Sequence, residues 1–230
     1  MSRIYSQSYF HYTKDMQSLL SILRGGFLGH YCREEFRYNR QMINIYVPMV
    51  AFCDIPLSHI PSVTYGGYGI GMSSIWGNAQ KLTPICYFPK DDRCALTSFI
   101  TNQANDFYVD LQKKGISKGA CAAIVAYSKP RNKYTTKGHR ADNYVEKEWR
   151  KAYLECSINP ADHKQPHRKM LLRFAYNAID FIIVPNNSSR DQLISHLTNF
   201  NQIGGNSILP SQLLSVISKI ITIEEIKNNY

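Results

Sequence analysis

None of the chain's six cysteines forms a C-x-x-C pair; they stand apart at Cys32, Cys53, Cys86, Cys94, Cys121 and Cys156. That spacing excludes paired-thiol zinc knuckles and offers no disulfide framework, so a reducing, cytoplasmic setting is expected. Cys53, Cys86 and Cys121 lie inside apolar runs, where a reduced thiol behaves as a small hydrophobe. No apolar stretch reaches the roughly 20 residues that cross a bilayer, and Met1–Phe10 lacks an apolar signal core, so no membrane partner is expected. Neither a Gly-Lys-Ser/Thr phosphate loop nor a G-x-S-x-G nucleophile elbow is present. His163 and His167 have helical spacing, but Pro166 disturbs the helix between them and no thiol pair completes a ligand set. No metal is expected. Internal repeats and low-complexity segments are missing as well.

Acidic residues are comparatively scarce: 17 Asp and Glu face 27 Lys and Arg, a formal net charge of +10. Such a surface attracts polyanions, so nucleic acid is the leading partner class. Lys129, Arg131, Lys133, Lys137 and Arg140 are the candidate nucleic-acid contacts, in a polar stretch over 129–143 that reads as an exposed loop. No long arm of like charge appears, which argues against a disordered DNA-binding tail. What the chain does have is 44% apolar residues over 230 positions, enough for one domain with a real core. A single domain over 1–230 is expected, with its core in 9–185 and a C-terminal helical extension over 186–230. Its 16 tyrosines supply flat, hydrogen-bonding surface, suited to half-buried strands or to a groove that stacks rings.

Thr13 is predicted to cap a helix bearing Leu19, Leu20, Ile22 and Leu23, with Asp15 in its first turn and Gly25-Gly26 ending it. Residues 47–53 read as a strand, and Asp54 with Pro56 opens a helical turn. The glycines of 65–72 exclude a helix, while Ser73 caps a short one carrying Trp76. Strands are expected over 84–88, 120–127, 145–154 and 180–184, and helices over 92–114 and 188–200, the latter with serine caps. The tail, 210–226, reads as a helix with a closing strand. Strands and helices in this irregular order predict an α+β fold, a mixed sheet flanked by helices.

Three segments carry side chains with chemistry. Phe10-His11-Tyr12-Thr13 places an imidazole at a strand end, where it can donate to a ligand or hold the following helix start. Tyr65-Gly66-Gly67-Tyr68-Gly69-Ile70-Gly71 lets backbone approach a ligand while a ring stacks on it, or is simply a glycine-rich turn. In Glu146-Lys147-Glu148-Trp149-Arg150 a strand would put both glutamates and the arginine on one face. Carboxylates about 7 Å apart beside an arginine can hold a sugar hydroxyl and stabilise a developing cation; the plain alternative is a solvated charged face.

In order along the chain, HYT (11–13), LLSILRGGF (19–27), YCREEF (31–36), VPMVAFCDIPL (47–57), YGGYGIGM (65–72) with Trp76, PICY (84–87), EKEWRKAY (146–153) and DFIIVP (180–185) resemble the AbiGi family of abortive phage resistance proteins over roughly residues 9–185. The resemblance implies the antitoxin half of a two-gene bacterial defence system, with a partner toxin. The same layout is loosely similar to the ADP-ribosyltransferase fold of DarT-like enzymes. That likeness implies NAD as cofactor, with His11 as its holder, assisted by Thr13, Tyr65 or Tyr68 as the stacking ring, and Trp76 and Arg150 beside them. Glu148, with Glu146 as second choice, becomes the catalytic carboxylate, stabilising an oxocarbenium-like ribose while ADP-ribose passes to nucleic acid or a protein bound to it.

Overall fold

A computed structural model describes residues 7–38, 41–62, 67–89, 94–114, 116–118, 120–134 and 140–229. Two compact units result, each assembled from separated stretches of chain. Unit 1 takes Met1–Phe27, Ala51–Leu82 and Leu171–Tyr230; unit 2 takes Leu28–Val50 and Thr83–Met170.

Strand β1 (Ser8–Thr13) and helix α1 (Met16–Gly25) come first. Strands β2 (Phe27–Tyr38) and β3 (Gln41–Cys53) form a long antiparallel hairpin, in register from His30↔Met49 to Tyr38↔Gln41. Next come β4 (Tyr68–Ser73), α2 (Ser74–Ala79), β5 (Thr83–Pro84) and β6 (Cys86–Phe88). Helix α3 (Ala95–Lys114), strand β7 (Ile116–Lys118) and helix α4 (Ala120–Tyr127) lead into β8 (Ser128–Pro130), β9 (Asn132–Tyr134) and β10 (Arg140–Asp142). Then follow β11 (Glu148–Ala152), β12 (Glu155–Ser157), β13 (Pro166–Leu172) and β14 (Ile179–Val184). Helix α5 (Asn187–Leu197), the short strands β15 (Gln202–Ile203) and β16 (Asn206–Ser207), helix α6 (Pro210–Ile217), strand β17 (Ile220–Thr222) and helix α7 (Ile223–Asn229) complete the order.

In unit 1 the strand order β1-β4-β14-β17 is antiparallel except for the parallel last pair, which makes the sheet mixed. One face carries Phe10, Tyr12 and Phe181, and Phe10 joins Ile55, Ile60, Ile183 and Ile226 in a buried cluster. The glycines of β4 make that face possible. A Cβ on Gly69 would stand 2.9 Å from Tyr12, and one on Gly71 2.8 Å from Phe10. The chain's own rings therefore occupy the space that the sequence reading gave to a ligand. Helix α1 buries Leu19, Leu20 and Leu23 and is capped by Asp15, whose carboxylate accepts from the Ser18 N–H, rather than by Thr13. Thr13 stays in β1 as a β-branched residue should, and its hydroxyl donates to the Asp15 carbonyl at 3.2 Å. Gly26 then ends the helix at φ +98°, its backbone so close to the Leu172 carbonyl that a Cβ would stand 2.6 Å away. Ser73 caps α2 as predicted, whereas α5 is capped by Asn186 and not by a serine.

Unit 2 is built on the β2–β3 hairpin, with β12 bridging β3 at Ser157↔Tyr46 and β7 pairing β12. Ile43, Ile45, Val47 and Met49 of β3 bury against Ala122, Val125 and Ala126, with Ile100, Phe88 and Cys156 completing the core. The 120–127 segment is thus helix α4 and not a strand: its four alanines favour a helix, and Ala122, Val125 and Ala126 supply its buried contacts. The 129–143 stretch is structured in part, through β8 and the β9–β10 pair; Lys137 lies outside the described residues. The expected strand over 145–154 begins three residues late, since Asn143–Glu146 is a 3-10 turn. Cys86 is exposed and not buried. Among the described residues no helix is long and apolar enough to cross a membrane.

Candidate functional site

Unit 2 holds a buried chain of charges at the start of β11. Arg150 is 1% exposed. Its Nε donates to Glu148 Oε1 at 2.6 Å, Nη1 to the Ala126 carbonyl at 2.6 Å, and Nη2 pairs with Glu34 Oε1 at 2.8 Å. The other Glu148 oxygen accepts from Lys129 Nζ at 2.9 Å, and Lys129 reaches on to Glu146 Oε2 at 3.3 Å. Glu148 and Arg150 share a face because β11 is extended. Glu146 arrives differently: Lys147, at φ +42°, turns the chain so that the carboxylates on either side of it meet one ammonium. The backbone is held too, with the Glu148 N–H donating to Tyr87 Oη at 2.9 Å and the Ile85 N–H to the Glu148 carbonyl at 3.1 Å.

The electrostatics divide the two inner carboxylates. Burial pushes the Glu148 carboxyl up, but Arg150 and then Lys129 pull harder, and its pKa falls below the ordinary 4.5. At Glu34 burial outweighs the pull of Arg150 and, behind it, Lys129, and Glu148 adds a like charge, so its pKa is raised. Lys129 and Arg150, flanked by these anions, are held more firmly protonated than usual. Cys32, beside the cluster, is pushed up to about 11 by burial and by the Glu34 charge, so it is a thiol at neutral pH and no nucleophile. Three carboxylates and two cations make a site whose charges largely answer one another. It orders the β11 entry, and it leaves Glu148 with both oxygens held by cations.

Arg131 pairs with Asp142 at 3.3 Å and sits over the Tyr144 ring at 5.3 Å. Lys129 directs its charge inward rather than to solvent, with its side chain 21% exposed. Lys133 and Arg140 lie on β9 and β10, paired with Ala141 and Tyr134.

In unit 1, His11 Nδ1 lies 2.8 Å from the Ala51 carbonyl, which can only accept, so Nδ1 carries the ring hydrogen. The ring stands edge-on to Phe27 at 5.2 Å and tilted to Phe52 at 5.6 Å. Thr13 and Tyr68 are cross-strand partners, two residues along from His11 and Ile70, which puts His11, Thr13 and Tyr68 on one face of β1–β4. The Tyr68 hydroxyl is 3.4 Å from Ser189 Oγ. Trp76 is buried among Phe27, Phe52 and Phe174, its Nε1 donating to the Arg173 carbonyl at 3.1 Å. Tyr65 lies outside the described residues. Of the predicted site residues, His11, Thr13, Tyr68 and Trp76 belong to unit 1, and Glu146, Glu148, Arg150 and Lys129 to unit 2.

Sequence reasoning missed Glu34 and Tyr87. Glu34 stands opposite buried Ile45 in the hairpin while Glu35 stands opposite exposed Asn44, so the register tells them apart. Among the described residues no group of three or more His, Cys, Asp or Glu side chains is arranged to hold a metal ion.

Comparison with known proteins gives one match. The family model described as "Putative abortive phage resistance protein AbiGi, antitoxin" matches residues 26–185, a span that contains Glu34, Glu148 and Arg150 and begins after His11 and Thr13. No curated protein and no solved structure matches the chain. The matched span covers well over half of the 230 residues and includes the whole charge cluster, and the chain belongs to the AbiGi family.

Proposed function

We propose that the chain is the binding antitoxin of an abortive-infection pair, neutralising a partner toxin in the cytoplasm by contact rather than by turnover. The observation that carries this reading is the state of Glu148: both its oxygens are occupied by cations of the same chain, as suits a buried structural group. The family description, which names an antitoxin, supports it. Exposed Arg131, with the sequence-neighbouring bases Lys133, Lys137 and Arg140, is the proposed contact, for an acidic toxin face or for operator DNA through which the chain represses its own operon. Co-expression with the neighbouring gene tests this. The neighbour alone should arrest growth, and the chain should relieve the arrest and co-purify with its product. Relief should survive His11→Ala and fail when Arg131, Lys133, Lys137 and Arg140 are together changed to Glu. A harmless neighbour, or relief without any complex, ends this reading.

A second reading, transfer of ADP-ribose from NAD, is favoured by the shared face of His11, Thr13 and Tyr68. It expects free nicotinamide when the pure protein meets NAD and nucleic acid, and loss of that release in Tyr68→Ala. Silence in that assay, with infected-cell extract added, removes it.

A further inference from the structure

Unit 1 contains a cleft of about 530 Å³ to which neither proposed activity assigns a role. The volume falls in the range of small-molecule sites. Gln7, Ser8, Asp180 and Lys219 give it its polar groups, and Pro56, Leu57 and half-buried Phe181 its apolar wall.

The polar groups are braced. Lys219 Nζ donates to the Ile179 carbonyl at 2.5 Å and to the Tyr176 carbonyl at 3.3 Å, which uses two of its three hydrogens. Ser8 Oγ donates to Asp180 Oδ2 at 2.6 Å, which fixes the carboxylate; among the described residues Oδ1 has no hydrogen-bond partner. The ladder between β14 and β4 shifts register between Ile179 and Phe181, so Asp180 sits at a bulge, a device that re-aims a side chain out of a sheet. Burial lowers the Lys219 pKa and the Asp180 charge works against it, so the two groups sense one another. They nevertheless close no ion pair, since the hydrogen bonds of Lys219 go to carbonyls. An ammonium hydrogen and a carboxylate oxygen thus border the same hollow, held apart by their own anchors.

The formal charge of this pair is zero, which selects the ligand. Asp180 repels a phosphate or a nucleotide, and Lys219 repels a polyamine. A molecule bearing both signs at short range satisfies both. We propose that the cleft binds a free α-amino acid with a large apolar side chain, its carboxylate on Lys219, its ammonium on Asp180 and its side chain against Pro56, Leu57 and Phe181. The site lies within unit 1, whereas the proposed toxin contact is drawn from unit 2, so it adds a small-molecule input to a chain otherwise read as a protein-binding one.

Isothermal titration of the full chain with L-phenylalanine tests the proposal, and needs no variant for its first arm. Binding should be saturable. 3-Phenylpropionate, which lacks the ammonium, and phenethylamine, which lacks the carboxylate, should each bind about tenfold more weakly or worse, the effect of losing one charge-assisted hydrogen bond. Asp180→Asn keeps an acceptor for Ser8 and should weaken phenylalanine by a similar factor. Leu57→Trp, with circular dichroism confirming the fold, leaves both charged groups in place and should abolish binding by filling the hollow. No saturable binding of L-phenylalanine or L-leucine, equal affinity for the three phenyl compounds, or a Leu57→Trp protein that binds like wild type would each overturn it.

Discussion

Arg150 is the residue on which the unit 2 cluster turns, because it alone touches Glu34, Glu148 and the Ala126 carbonyl. Replacing it with methionine leaves two buried carboxylates facing each other. The expected loss is about 3–5 kcal/mol, read as a lower urea midpoint at unchanged slope. The two glutamates should behave oppositely. Glu148 has a lowered pKa, so its contribution is present above pH 4.5 and is lost as pH falls through its folded value. Glu34 has a raised pKa, so the native chain holds its proton longer, and stability declines as pH rises from 4.5 through the folded value. Glu34→Gln removes that decline and keeps an acceptor for Arg150. The stability of Glu34→Gln minus that of wild type should therefore increase from pH 4 to pH 7 in urea titrations, and a flat difference counts against the cluster as drawn. At this scale the sequence was half legible. Alternation in EKEWR correctly put Glu148 and Arg150 on one face. It misplaced Glu146 because a lysine in the left-handed region, unlike a glycine or asparagine there, gives no warning of itself.

At the scale of elements, β4 shows how side-chain absence shapes a sheet. Gly71→Ala sets a methyl 2.8 Å from the Phe10 ring, which is buried and cannot swing away. A loss of about 1–3 kcal/mol is expected from thermal or urea unfolding, partly restored when Phe10 is shortened to leucine. Asn186→Ala removes the side chain that accepts from the Ser189 N–H at the start of α5 and should cost about 1 kcal/mol, whereas Ser188→Ala should leave stability nearly unchanged. Most element types were readable from composition: α1, α3 and α5, the strand through 47–53, and the strand at 180–184. Helix α4 was misread because an unbroken run of eight apolar residues shows no period, and the decisive clue was the alanine content. The caps were displaced by one or two residues, since Thr13, Asp15, Asn186 and Ser188 are all competent cappers and only backbone geometry chooses among them.

At the scale of the molecule, the described cysteines are free thiols, Cys156 buried and Cys32 half-buried. Unfolding midpoints with and without dithiothreitol should coincide, and a shift would reveal a disulfide that the described thiols do not form. The division into two units was not legible at all. Periodicity reports which residues face inward but is silent on which interior they face.

That division also sets the order in which the chain can be finished. Strand β4, complete by residue 73, has one edge on β1 and the other on β14, whose first residue is Ile179. During synthesis, β1 and β4 emerge early and then wait, one strand edge bare, while more than a hundred further residues are translated. Unit 1 can close only once the residues from Leu171 onward have been made. A premature stop there harms the middle of a sheet and not a dispensable end, and a newborn chain is most exposed to clumping through β4 during that interval.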